Sequence, residues 1–356
     1  MCSSDLQFHP VVENDLWWGP GFTEWRNVTR ARPNFVGHDQ PRQPADLGYY
    51  DLRLDEVYRK QVELAEAHGL SGFCFYFYRF GTRKLLEGPI ERLLKPDAPS
   101  FPFCLAWANE NWTRRWDGRE QEVLISQVYS DDDDRAALAD ISRFLEHPAY
   151  LRINGRPLVL IYRIGLFPNI RRTVEIWRDE ARRRGVGEIY LAAITSFEVN
   201  LSSELPVHAG FDAVVEFPPH NRKTQPRASS QILNESFSGF TFDYEETALS
   251  YMAAQPNRLT AFRGSMPGWD NTARRQDEAN IFVGSTPGAY RAWLESALCQ
   301  TKRQNFGDER LVFINAWNEW AEGAYLEPDL RWGHAYLEAT RKAVDTFRNV
   351  PNERRG

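Results

Sequence analysis

Apolar runs of strand length alternate with amphipathic, helix-period segments along almost the whole chain. "LSGFCFYFYRF" (70–80), "FPFCLAWANENW" (101–112), "PLVLIYRI" (157–164), "IYLAAITSF" (189–197), "FDAVVEFPPH" (211–220) and "RLVFINAWNEW" (310–320) predict buried strands, and "LTAFRGSMPGW" (259–269) predicts a weaker one. Between them, "LDEVYRKQVELAEAHG" (54–69) and "NIRRTVEIWRDEARRRG" (169–185) predict helices closed by a glycine. Near the end, "AYLEATRKAVDTF" sets Leu337, Val344 and Phe347 on one stripe, as a docking terminal helix requires. Strand followed by helix, repeated in this way, predicts an α/β chain folded as one (β/α)8 TIM-like barrel with a truncated first strand. An open doubly wound sheet fits less well, because no Gly-x-Gly-x-x-Gly follows a first strand and polar or aromatic residues end nearly every strand. The polar stretch 221–258 is expected to be a long loop after strand six. The acidic run Asp131–Asp134 precedes the helical "AALADISRFLEH" and is read as helix capping rather than a calcium loop.

A length of 356 residues suits a single large barrel, and 42% hydrophobic with 26% charged residues describes a globular protein with a large core. The formal net charge of −6 argues against nucleic acid as partner. No apolar stretch is long enough to span a membrane. Cys2, Cys74, Cys104 and Cys299 show no metal spacing, and Cys74 and Cys104 read as small core residues, which points to a reducing, cytoplasmic setting. The start "MCSSDL" has no signal-peptide character and matches a translated sequencing adapter. Residues 1–6 are therefore expected to be a non-native leader, with the barrel at 7–349 and a tail at 350–356.

Barrel enzymes carry their chemistry at the C-terminal ends of strands. Here those ends hold Tyr76 and Tyr78; Trp107, Asn109, Glu110, Trp112 and Arg115; Thr195, Ser196 and Glu198; Glu216 and His220; Trp269 and Asp270; and Asn318, Glu319, Trp320 and Glu322. Carboxylates move protons, aromatic faces stack on sugar rings, and amides grip hydroxyls, so a saccharide cleft with two carboxyl groups flanking a glycosidic bond fits this set. No nucleophile elbow and no paired histidine spacing is present, and neither a metal nor a cofactor is expected. Arg114, Arg115, Arg274 and Arg275 are read as rim charge rather than phosphate ligands.

Six segments, "NDLWWGPGFTEWRNV" (14–28), "QPADLGYYDLR" (43–53), "WANENWTRRWDG" (107–118), "GFDAVVEFPPH" (210–220), "GWDNTARR" (268–275) and "FINAWNEWAEGAYLEP" (313–328), closely resemble the WbsX-type family, also described as glycoside hydrolase family 99-like. The resemblance implies the barrel, a first strand ending in "QFHP" with His9 at its mouth, and a poly- or oligosaccharide substrate. Family 99 enzymes are retaining endo-acting α-mannosidases and mannanases with two glutamates in an Asn-Glu-Trp-x-Glu motif, which 318–322 reproduces. By that resemblance Glu319 takes the proton from the sugar 2-hydroxyl, giving a 1,2-anhydro intermediate. Glu322 protonates the leaving oxygen and then activates water. Three readings stay open: a retaining hydrolase of surface or extracellular polysaccharide, a glycosyltransferase of lipopolysaccharide or O-antigen biosynthesis, and an inactive carbohydrate-binding barrel. Glu110 is the competing acid/base. Substrate contacts are expected from His9, Tyr76, Tyr78, Trp107, Asn109, Glu110, Trp112, Glu216, His220, Trp269, Asp270, Asn318 and Trp320.

Overall fold

The computed structural model describes residues 1–114, 119–221, 224–228, 231–256 and 258–349. Arg115 and the tail 350–356 lie outside the described residues.

Eight parallel strands close on themselves: β1 (Cys2–Ser4), β2 (Phe73–Phe80), β3 (Phe103–Trp107), β4 (Arg156–Ile161), β5 (Tyr190–Ile194), β6 (Ala213–Val215), β7 (Thr260–Ser265) and β8 (Val312–Ile314). Each pairs with its sequence neighbours, and β1 completes the ring by pairing Cys2 with both Phe73 and Ile314. The runs are apolar at nearly every position because a barrel wall is buried on both faces, by the interior on one side and by helices on the other. Helices between the strands include α1 (Asp55–Ala67), α2 (Asp131–Leu145), α3 (Ile170–Arg183), α4 (Tyr244–Met252) and α5 (Pro287–Gln304), and α6 (Ala335–Asn349) follows β8.

Two boundaries differ from the sequence reading. Residues 1–6, expected to stand outside the barrel, supply its first strand. The Met1 amino group donates to the Val312 carbonyl at 2.9 Å, and residues 1–9 are buried. Three short residues suffice because the flanking strands β2 and β8 present backbone groups that only another strand can satisfy. The stretch 221–258 is not one loop: Phe240–Asp243 forms a strand parallel to Asn280–Val283, and α4 follows directly. Asp243 caps α4 by accepting the Glu246 N–H at 2.8 Å, while Tyr244, Thr247, Ala248 and Tyr251 make its buried stripe. At α2 the capping expectation holds, with Ser130 accepting the Asp133 N–H at 3.1 Å.

The ring turns alternate side chains outward, and this decides the fate of Trp107. It packs flat on Trp177 of α3, ring centroids 5.4 Å apart, so it belongs to the wall-to-helix interface and not to the mouth.

Candidate active site

The final strand stops at Ile314, earlier than the sequence pattern suggests, and the chain then climbs to the mouth. Asn318-Glu319 forms a two-residue antiparallel ladder with Ala324-Tyr325, and Trp320–Glu322 makes the 3-10 turn between them. Gly323 closes that turn at φ +61°. A Cβ there would lie 2.8–3.0 Å from atoms of Asp270, so only glycine fits. This hairpin folds Glu322 back toward Glu319.

Arg274, at the end of the 272–275 turn, receives both. Its Nη2 donates to Glu319 Oε2 at 3.2 Å, its Nη1 to Glu322 Oε1, and its Nε to Glu24 Oε1. Glu24 lies in a short helical turn entry whose N–H is bonded to the Gln7 carbonyl, which fixes it beside the end of β1. Asp5 stands in the same cluster: oxygens of Asp5, Glu24 and Glu319 fall within 4.8 Å of one another. Such a trio has the composition of a cation site, but the Arg274 guanidinium already supplies the positive charge on two of its members. Burial, and then the Asp5 and Glu322 charges, push the Glu319 carboxyl well above its ordinary range, with Arg274 opposing. Asp5 is pushed up by burial and by Glu24.

A cavity of about 420 Å³ opens over these groups. Its walls include Tyr76, Tyr78, Trp112, Tyr162, Phe197, Phe217, His220, Trp269 and Phe282, and its polar lining includes Gln7, Glu110, Asn271, Arg274, Arg275, Glu319 and Glu322. Tyr78 and Trp112 meet edge to face at 5.3 Å, and Trp112 is held further by Trp17 and Phe80. His220 is oriented by the Tyr162 hydroxyl at 2.8 Å and sits between Phe197 and Phe217.

Of the expected residues, Glu319, Glu322, Tyr76, Tyr78, Glu110, Trp112, His220 and Trp269 come together here. The others do not line the cavity. Trp107 is wall packing. Asn109 is buried and closes a loop, accepting the Arg163 N–H at 2.8 Å and donating to the Arg163 carbonyl at 2.9 Å. Glu216 turns to Arg263 at 3.3 Å and to the Gly264 N–H at 3.0 Å; burial pushes it up to about 7 against the Arg263 charge. Asp270 accepts from His38 and Gln40 at 2.8 and 2.7 Å; although burial acts to raise it, these bonds and Arg42 hold it below the usual carboxylate range. Asn318 is a staple, accepting the Asp5 N–H at 2.7 Å and donating to the Tyr50 hydroxyl at 3.0 Å. Trp320 stacks on Tyr325 at 3.8 Å and donates to Glu327 at 2.7 Å. His9 is buried, and desolvation pushes it down to about 4. In each case a polar or aromatic residue at a strand end faces the structure holding the mouth rather than the mouth itself.

The sequence reading passed over Glu24 and took Arg274 for rim charge. For Glu24 the signal available was its setting inside "GFTEW", a charged residue among aromatics and small residues where a solvated face would be uniformly polar; Arg274, inside the largely polar "GWDNTARR", carried no such signal.

The family model described as "Glycosyltransferase WbsX" matches residues 6–340. The chain is 49% identical over 350 residues to the uncharacterized protein WxcX of Xanthomonas campestris pv. campestris strain B100, and equally to that of strain ATCC 33913; the match takes in 98% of this chain and 50% of each relative. The chain thus spans about half the length of the curated relatives it matches. Among solved structures, the GH99 endo-alpha-mannosidase from Bacteroides thetaiotaomicron superposes with a TM-score of 0.59 at 18% identity, over 98% of this chain and 96% of that one. A glycoside hydrolase-like protein superposes at 0.60 and 11% identity, over 96% and 92%. At these identities the likeness establishes the barrel fold.

Proposed function

Because the chain belongs to the WbsX glycosyltransferase family, we propose that it is a carbohydrate-active enzyme, and more finely a retaining endo-acting glycoside hydrolase of surface or extracellular polysaccharide. The observation that carries this reading is the meeting of Glu319 and Glu322 on one guanidinium beneath an aromatic-walled cavity. Two carboxyl groups acting on one bond need opposite protonation states, and a shared cation beside an excess of acids can provide them. Asp5, Glu24, Glu319 and Glu322 face a single Arg274, so full ionisation would leave a large uncompensated charge in a buried site. Within the cluster, the Asp5 and Glu319 carboxyls are pushed upward, by burial first and then by their acidic neighbours.

In the first step Glu319, ionised in the reacting complex with Arg274 holding its charge against the upward push of burial, takes the proton of the sugar 2-hydroxyl, and O2 bonds to C1 as the C1–leaving-oxygen bond breaks. Glu322 gives its proton to that oxygen. In the second step water attacks C1 and loses its proton to Glu322. The C1–O2 bond opens, and O2 recovers a proton from Glu319, leaving both carboxyls as they began. Glu322, with a side chain 20% exposed against 7% for Glu319, is the better placed to meet water. Arg274 must release or share one of the two as substrate enters, since a carboxyl pinned to a guanidinium is a poor proton donor.

The family name favours a second reading, transfer to an acceptor hydroxyl in place of water. Use of a nucleotide sugar would require a diphosphate grip, and Arg274 is engaged by three carboxylates while Arg275 is on Glu278 at 2.9 Å. Incubation with α-linked oligosaccharides, with and without nucleotide sugars, tests the choice. Cleavage with retained anomeric configuration supports the hydrolase, whereas product formation only in the presence of a nucleotide sugar overturns it.

A further inference from the structure

A second cavity, of about 310 Å³, lies beside the first and shares Trp269 and Phe282 with it as a common wall. Its size falls at the lower end of small-molecule sites, roughly 300–1,000 Å³. Three half-buried aromatic rings, Phe35, Trp332 and Tyr336, come to it from two separate loops and from α6.

The charged groups around this cavity are partnered within the protein. Arg331 pairs with Asp39 at 3.1 Å. Asp270 is shared by Arg42 at 3.5 Å and by His38 Nε2 at 2.8 Å, and the Asn34 N–H lies on His38 Nδ1. Asp329 takes the Tyr325 hydroxyl at 2.7 Å and the Trp332 N–H at 2.6 Å. Arg42 and Arg331 thus face Asp39, Asp270 and Asp329, with Glu327 also in the lining and accepting hydrogen bonds from Tyr50, Gln61 and Trp320; there is no excess positive charge to hold an anion, and each of these carboxyls already has a donor within the protein. Flat apolar faces combined with fixed polar groups that are already partnered describe a site for a neutral ring bearing hydroxyls.

We propose that this cavity is a non-catalytic subsite for a neutral sugar unit of the same glycan whose scissile bond lies over Glu319 and Glu322. The inference rests on the saccharide reading of the larger cavity. A chain passing over the Trp269–Phe282 wall would occupy both cavities, so the expected substrate is longer than a disaccharide.

Titration calorimetry on the Glu319→Gln protein, with neutral α-linked oligosaccharides of increasing length, separates the two readings. Affinity is expected to rise with length, and Trp332→Ala in that background to cancel the gain, weakening the longest ligand about tenfold while leaving the shortest unchanged. Trp332→Phe, which keeps a ring, should retain most of the gain. Phe35→Ala, on a different loop, should reproduce the loss, which guards against a folding defect peculiar to one variant. Equal weakening at every length, or none at any length, overturns the second subsite. Failure of all the oligosaccharides to bind the parent protein overturns the saccharide cleft itself, and this inference with it.

Discussion

Arg274 and Glu319, 45 positions apart in sequence, are joined at 3.2 Å in the wall of the larger cavity, and the same guanidinium holds Glu24 and Glu322. Arg274 opposes the upward pressure that burial and neighbouring acids exert on Glu319. Arg274→Met is therefore expected to raise the pKa of the pair further and to move the pH–rate profile toward higher pH, with turnover falling on the order of a hundredfold. A profile left in place would show that Arg274 only braces the hairpin. Carboxyl absorption in infrared titration checks the same shift without turnover.

Glu319→Gln and Glu322→Gln should each lower turnover on the order of a hundredfold or more. Glu110→Gln should cost far less, because Glu110 is tied to Arg163, which also holds Glu198 at 2.9 Å. Steady-state kinetics on the three variants decide the assignment, and a larger loss at Glu110 would reverse it.

Trp107→Ala should cost stability rather than affinity. Removing a buried ring stacked on Trp177 costs roughly 3–5 kcal/mol, while KM of the folded protein should stay unchanged. Trp112→Ala is expected to do the opposite, raising KM about tenfold with a smaller loss of stability, because Trp112 lines the cavity. Denaturant melts beside kinetics distinguish the two.

Glu327 is buried and is pushed up to about 7 by desolvation, against hydrogen bonds from Trp320, Gln61 and Tyr50. Its folded value lies above its unfolded one, so between about 4.5 and 7 the folded state binds the extra proton and stability falls as pH rises. Glu327→Gln should flatten the stability–pH curve in that window, by an amount on the order of 1–3 kcal/mol. An unchanged slope would place the titration elsewhere.

How much of this was legible in the sequence differs by residue. Glu319 and Glu322 stood out because two acids beside two tryptophans at a strand end have few packing uses. Tyr76 and Tyr78 were expected at the mouth from their position near the end of β2, and the period-two alternation of the strand sends both to one face. The same reasoning misassigned Trp107 and Glu216, since a position near a strand end does not say which face a side chain takes once the strand joins a closed ring. Asn318 and Trp320 adjoin the glutamates in sequence yet serve the hairpin that aims them.

The amino-acid sequence by itself determined the alternation of buried strands and amphipathic helices, hence the barrel, and the pair of glutamates at its mouth, because these are local patterns of burial and chemistry. The tertiary structure alone decided that Met1–Leu6 closes the ring and that Glu24 and Arg274 join the acids. It also decided which aromatics face a cavity. Those relationships link residues tens to hundreds of positions apart, and their energies arise only when the closed barrel removes the groups from water and leaves each charge with the partners the fold supplies.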